Sequence, residues 1–265
     1  LGSNVQHAVA ETTASQARTL QFDDGTQAMA VLRDLRSIEE IDWEIEGGPK
    51  RLPTTKLLAW GRRARLGSRG AIVLSDGSVF ATEEPLAFQP AGDASTVWPR
   101  DGLGTPANWS RSKVRAVFAK LPVDRNERER VVIDAFANSE QEESLELANG
   151  DRVVGQWQEP VTAASGNEPA ANVRWKSRAG TIEVPWDRVR CLRFRTKLHS
   201  SADARLIVGF NDGSKFVLRS LQSDGERMEL ELVCGLRLRA SVESVMDAVV
   251  SIESLSTDRV YLSDL

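Results

Sequence analysis

The sequence predicts an all-β protein made of tandem small five-stranded barrels or bent sheets, four repeats in all, with one short linking helix. Three observations predict it. An apolar residue, a spacer, Asp or Asn and then Gly occurs four times, at Phe22–Gly25, Leu74–Gly77, Leu147–Gly150 and Phe210–Gly213. The residues around those turns alternate apolar and polar with a period of two, as at Leu145, Leu147 and Val153, and at Val208, Phe210, Phe216 and Leu218. Trp, Gly, Pro and a closing aliphatic residue then recur behind two of the turns at offsets of 0, 5, 10 and 14: Trp43, Gly48, Pro53, Leu57 and Trp175, Gly180, Pro185, Val189.

Residues 1–17 are small and polar, which suits a loose leader. Repeats are expected at 18–62, 68–121, 144–197 and 203–257. Asp-Gly and Asn-Gly open each hairpin, because both central turn positions accept positive φ. Pro cannot donate to a ladder, so Pro53 and Pro185 mark where the sheet ends, followed by a single helical turn and a closing strand. Repeat four keeps Leu230, Gly235, Ala240 and Val245, the last displaced by one. Repeat two is looser, with Trp98, Gly104 and Val114. A unit of this size buries only about 60% of its surface alone, so the units are expected to pack on one another. The linker 122–143 holds the one clear helix, roughly 124–138, capped by Asp124, with Glu127 in its first turn and Val132, Ile133 and Phe136 on one face. Gly92–Pro106 and Ala163–Ala171 read as loop insertions.

Composition excludes several function classes. Among 265 residues, 34 Lys and Arg stand against 38 Asp and Glu, a net charge of −4. That balance argues against nucleic-acid binding by bulk charge. No run of about 18 apolar residues is present, so no transmembrane helix is expected. The chain begins with Leu and no apolar signal core follows, which reads as a processed or excised piece. Two His (His7, His199) and two Cys in no close spacing argue against a metal site, and both His lie in polar stretches that read as surface. There is no phosphate-binding loop and no nucleophile elbow, and Gly102 and Gly104 form a lone pair with no helix signal behind them. No cofactor is expected. The Asp/Asn-Gly turns offer too few oxygens each for calcium.

The segment Leu145-Glu-Leu-Ala-Asn-Gly-Asp-Arg-Val-Val-Gly155 resembles the opening motif of Sm-like barrels, with a second Gly five residues after the turn. Small barrels of the Sm-like or Src-homology-3-like kind are what this implies. The Sm-like RNA-binding signature is absent, so the resemblance carries topology and leaves an RNA-binding function disfavoured. The turns, Val184-Pro-Trp-Asp-Arg-Val189 and the tail Asp258–Leu265 together resemble a repeated β-rich segment of large exported planctomycete proteins. There it precedes an NPCBM module, associated with carbohydrate binding, and residues 258–265 resemble the run-in to that module. The resemblance implies a non-catalytic, extracytoplasmic scaffold, periplasmic or at the cell surface, with a glycan or envelope protein as partner.

Trp43, Trp98, Trp175 and Trp60 read as core. Trp109 and Trp186 sit beside Pro-type turns where a ring can be exposed, and Trp157 follows Gly155. These three are the candidate glycan or partner contacts. Cys191 lies on the closing strand of repeat three and Cys234 beside the second Gly of repeat four. In an exported protein they form a candidate disulfide worth about 4 kcal/mol. Two buried free thiols are the alternative, since Cys234 alternates with Leu230 and Leu232. An accessory domain of a secreted glycoside hydrolase is the competing function, and it requires a cleft with two converging carboxylates.

Overall fold

The computed structural model describes residues 16–67, 69–82, 89–91, 94–97, 107–109, 111–137, 142–158 and 172–255. The fold is all-β and antiparallel. Set one comprises β1 (Arg18–Phe22), β2 (Gln27–Asp34), β3 (Glu40–Ile45), β4 (Gly48–Pro53) and β5 (Leu57–Gly61), which pair in the order β5-β1-β2-β3-β4. Set two has β6 (Gly70–Leu74) between β7 (Val79–Thr82) and β11 (Val114–Phe118). Its β8 (Gln89–Ala91), β9 (Ala94–Val97) and β10 (Ala107–Trp109) form a separate three-stranded sheet. Set three repeats the first order with β12 (Glu143–Leu147), β13 (Arg152–Gln158), β14 (Asn172–Ser177), β15 (Gly180–Pro185) and β16 (Val189–Arg193), β16 lying beside β12. Set four does so again with β17 (Leu206–Phe210), β18 (Lys215–Ser223), β19 (Arg227–Leu232), β20 (Arg237–Ser241) and β21 (Val249–Ser254).

The same corner is built in all four sets. The N–H of Phe22, Leu74, Leu147 and Phe210 donates across the turn to the carbonyl of Thr26, Ser78, Asp151 and Ser214. The N–H of the turn Gly returns to the carbonyl of the same apolar residue. Gly25, Gly77, Gly150 and Gly213 have φ of 86° to 94°, and no described non-Gly residue has positive φ. The Asp-Gly signal therefore marks three-residue loops with Gly in the left-handed bulge position, not turns with two positive-φ residues. Asp24, Asp76, Asn149 and Asp212 instead stay at negative φ and accept the N–H two residues on, at 2.7–3.1 Å. Next to each turn, Asp23, Ser75, Ala148 and Asn211 donate to the residue just before the closing strand: Lys56, Lys113, Arg188 and Ala248.

Where a single turn enters the closing strand it is 3-10, at Thr54–Lys56, Arg111–Lys113 and Trp186–Arg188. Set four departs from this. Lacking the Pro, it carries a helix α2 (Val242–Ala248), capped by the Ser241 side chain accepting from the Ser244 N–H. The closing strand consequently starts at Val249 rather than at Val245, which faces inward from the helix. The linking helix α1 runs from Arg125 to Ala137, with Asp124 accepting the Glu127 N–H at 2.9 Å. It covers Ala71, Val73, Val79, Ala116, Phe118 and Cys191 with Val131, Val132, Ala135 and Phe136. Ile133 points outward, 54% exposed, so the buried face is rotated from the one predicted.

The sets join by strand pairing. β5 pairs with β21 so that Trp60 faces Ile252, and β11 pairs with β16 so that Val117 faces Leu192. All four of those residues stand fourth in their strands, so both junctions have a local two-fold register. A third junction joins sets two and four. There Lys215 bridges Val79, the Ser78 hydroxyl accepts the Val217 N–H at 2.9 Å, and the Ser214 hydroxyl accepts the Ala81 N–H at 3.0 Å. Phe80 and Phe216 stack beneath it with centroids 4.4 Å apart. The spatial order of the sets is thus three, two, four, one.

Candidate functional site

Set three carries the cleft and the aromatic cluster that most resemble a site. Strand alternation places Val153, Gly155 and Trp157 on one face of β13. Gly155 takes no side chain because a Cβ there stands 2.3 Å from the Lys176 carbonyl and 2.5 Å from Trp175 Nε1. The second Gly of the Leu145–Gly155 segment thus lets β13 cross closely over β14, above the fully buried Trp175. Trp157 packs with Trp186 and Phe194 at centroid distances of 6.0 and 6.2 Å. Arg111 lies over the Phe194 ring at 5.4 Å and binds both oxygens of Glu143, which also accepts the Trp157 N–H at 3.2 Å.

An open cleft of about 380 Å3 lies alongside, lined by Glu142, Glu143, Val154, Gln156, Lys176 and Arg178, among others. Its two carboxylates are each engaged by an arginine: Glu143 by Arg111, and Glu142 by Arg178 at 3.6 Å. A glycosidase needs one carboxyl free to hold a proton and a second free to attack or activate water. Glu143 lacks that freedom, held by Arg111 and by the Trp157 backbone N–H, whereas the Glu142–Arg178 contact is an exposed surface pair that restrains Glu142 little.

The predicted aromatic contacts fall in three different places. Trp157 is 4% exposed and turned into the core, as the period-two alternation from Val153 requires, so it has no ring face to offer a sugar. Trp186 is half-buried, on the 3-10 turn after Pro185, and packs against the same core. Trp109 lies on β10 opposite Ser95, and its side chain falls outside what is described, as does Trp98 altogether. Trp43, Trp60 and Trp175 are core, with Trp43 and Trp60 5.5 Å apart and the Trp60 indole donating to the Ala30 carbonyl.

Both cysteines are buried free thiols, which answers the two readings of the pair in favour of the second. Cys191 packs under α1 in one apolar cluster and Cys234 in another, so the two do not meet. Burial, reinforced by the Asp76 carboxylate, pushes the Cys234 thiol up to about 12, which leaves it unreactive at neutral pH.

Sequence reasoning missed two contacts at the junction of sets two and four. Ser75 Oγ lies 2.8 Å from His199 Nδ1, and the His199 N–H donates to the Ser75 carbonyl. Asp76 accepts the N–H groups of Ser78 and Cys234 at 2.9 and 2.8 Å. A Ser–His pair is the start of a nucleophilic site, yet Ser75 is wholly buried and its own N–H is bound to the Lys113 carbonyl, so no substrate reaches the hydroxyl. The pair straps the connection between sets three and four onto the turn of set two. With the partners 124 positions apart in the sequence, no local signal announces it.

Among the described residues, no group of three or more His, Cys, Asp or Glu is placed to hold a metal ion, and no helix is long and apolar enough to cross a membrane. Compared with protein-family models, curated proteins and solved structures, the chain matches none.

Proposed function

We propose that this chain is a non-catalytic scaffold, four copies of one small barrel of the Sm-like or Src-homology-3-like kind, working outside the cytoplasm. In this reading it presents or assists a carbohydrate-binding module at the cell envelope. The observation that supports it is the use to which polar groups are put. The turn carboxylates cap backbone N–H groups, the buried serines hold one set to the next, and the more buried cleft carboxylate, Glu143, is tied to Arg111. The fourfold recurrence of one corner, down to the donor beside the turn, supports the four-copy part of the reading. Export, the module and the envelope partner rest on the resemblance of the turns and the tail.

The test titrates this chain calorimetrically with a panel of soluble envelope and plant polysaccharides and, in parallel, assays it for release of reducing sugar. Turnover is expected with none of them, and a pull-down from an envelope extract is expected to capture a glycan or an envelope protein. Release of reducing sugar by this chain alone overturns the scaffold reading in favour of the hydrolase accessory. Cell fractionation that recovers the protein in the cytoplasm overturns the envelope part.

A further inference from the structure

We propose that this chain is a dimer fused through its linker. Sets one and two with α1 (16–137) form one half and sets three and four (142–255) the other, and each half is the obligate partner that completes its counterpart about a two-fold axis. The proposal rests on the strand registers and is independent of the scaffold reading.

Every strand pairing between sets crosses from one half to the other. β5 of set one pairs with β21 of set four, β11 of set two with β16 of set three, and β7 of set two bridges β18 of set four. The isolated bridge between Ser37 and Gln222 likewise joins set one to set four. Among the described residues no ladder joins set one to set two, or set three to set four. The connections inside each half lean on the other half as well. Residues 64–66, between sets one and two, crowd Gly209 and Gly213 of set four. His199, between sets three and four, donates its N–H to the Ser75 carbonyl of set two.

One operation, exchanging set one for set three and set two for set four, relates all three junctions. The pairs Ala59–Glu253, Trp60–Ile252 and Gly61–Ser251 become Cys191–Phe118, Leu192–Val117 and Arg193–Ala116, position for position. The Arg62 N–H on the Val250 carbonyl at 3.1 Å becomes the Phe194 N–H on the Arg115 carbonyl at 2.9 Å. The third junction maps onto itself. Ser78 accepting from Val217 answers Ser214 accepting from Ala81, Phe80 answers the Phe216 it stacks on, and the axis runs between Val79 and Lys215. Such reciprocity, in which one residue touches another and their equivalents touch in return, is the mark of an isologous interface. A half by itself leaves the outer edges of both its closing strands open. It also uncovers its share of Trp60, Val117, Leu192 and Ile252, each at most 1% exposed in the whole chain.

Charge makes unlike halves the preferred pair. Two copies of the second half would set Lys215 opposite Lys215 at the axis, and like charges directly opposed across a ladder repel. Joining the two different halves puts Val79 there instead.

The test uses the full chain with a protease recognition sequence inserted at residues 138–141 and cut after folding. The cut chain is expected to sediment as one particle near 29.2 kDa and to unfold in urea in a single transition whose midpoint rises with protein concentration. The uncut chain is expected to show a midpoint independent of concentration. In the cut chain, Ser78→Ala is expected to need on the order of tenfold more protein to reach the parent midpoint, because it orphans a donor of the opposite half. Thr26→Ala, on a turn away from the axis, is expected to leave that midpoint in place. Fragments that separate on dilution without urea, or a cut chain that unfolds in two transitions or at a midpoint independent of concentration, show halves that close on themselves and overturn the proposal. A Ser78→Ala midpoint equal to that of Thr26→Ala overturns the placing of the axis.

Discussion

The turns at Gly213 and Gly25 share their backbone hydrogen bonds and their φ within 8°, yet they live in different surroundings. At Gly213 a Cβ meets the Arg65 carbonyl at 2.5 Å and the Leu66 Cα at 2.6 Å, because the connection between sets one and two runs across the turn. At Gly25 nothing lies within 4 Å. One local signal thus produces two structural roles. The open turns serve only to reverse the chain, while the covered turns of sets two and four are where the sets lock together. Gly213→Ala is expected to cost about 3 kcal/mol or more, the sum of a left-handed penalty near 1–2 and a collision near 1–3. Gly25→Ala meets the first of these alone, about 1–2 kcal/mol. Denaturant unfolding of the two variants side by side measures the gap. Equal losses break the distinction between covered and open turns.

Asp76 and Asp24 sharpen it one step further. Each caps its own turn, but Asp76 is buried and reaches across to the Cys234 N–H as well. Replacing Asp76 by Ala leaves two buried donors without acceptors, which is expected to cost about 2–3 kcal/mol. Asp24 is exposed, and water takes its place in Asp24→Ala, so that variant is expected to unfold at nearly the wild-type midpoint. The serines rank below. Ser78→Ala orphans the Val217 N–H for a loss of about 1–2 kcal/mol, whereas Thr26→Ala on the open turn stays within about 0.5. A Thr26→Ala loss as large as that of Ser78→Ala shows that the open turn is held by more than its own residues.

How far each feature was readable in the sequence follows the same division. The hairpins were readable because turn chemistry is local: Asp or Asn, Gly and flanking alternation sit within about six residues. The inward Trp43 and Trp175 were readable from their fixed offset to a Gly and a Pro. Trp157 was readable too, since Val153 two pairs away already set the inward face. The closing strand of set four was not, because α2 lengthens the connection that Pro shortens elsewhere. Helix α1 was found, but its face was turned by one residue, since Val131, Val132 and Ile133 are all apolar and only the sheet beneath decides among them. The junctions lay beyond reach entirely. Ser78 with Val217, Asp76 with Cys234 and Ser75 with His199 are 124 to 158 residues apart, and each residue taken alone looks like an ordinary turn or surface group.

The smallest expected effect lies in the titration of Asp24. The Thr26 hydroxyl first, and the Thr26 N–H second, hold its carboxyl below the ordinary aspartate value. A folded value below the unfolded one means the fold favours the ionised form. That contribution is present above the unfolded value and disappears as pH falls through the folded one. Thr26→Val removes the hydroxyl and keeps the N–H, so the Asp24 carboxyl is expected to titrate closer to the ordinary value without reaching it. Side-chain carboxyl shifts followed by NMR across the acid range measure this directly. The unfolding midpoints of wild type and Thr26→Val are expected to draw together as pH falls, because protonation removes the same bond that the substitution deletes. An Asp24 titration unmoved by Thr26→Val shows that the N–H alone holds the open turn.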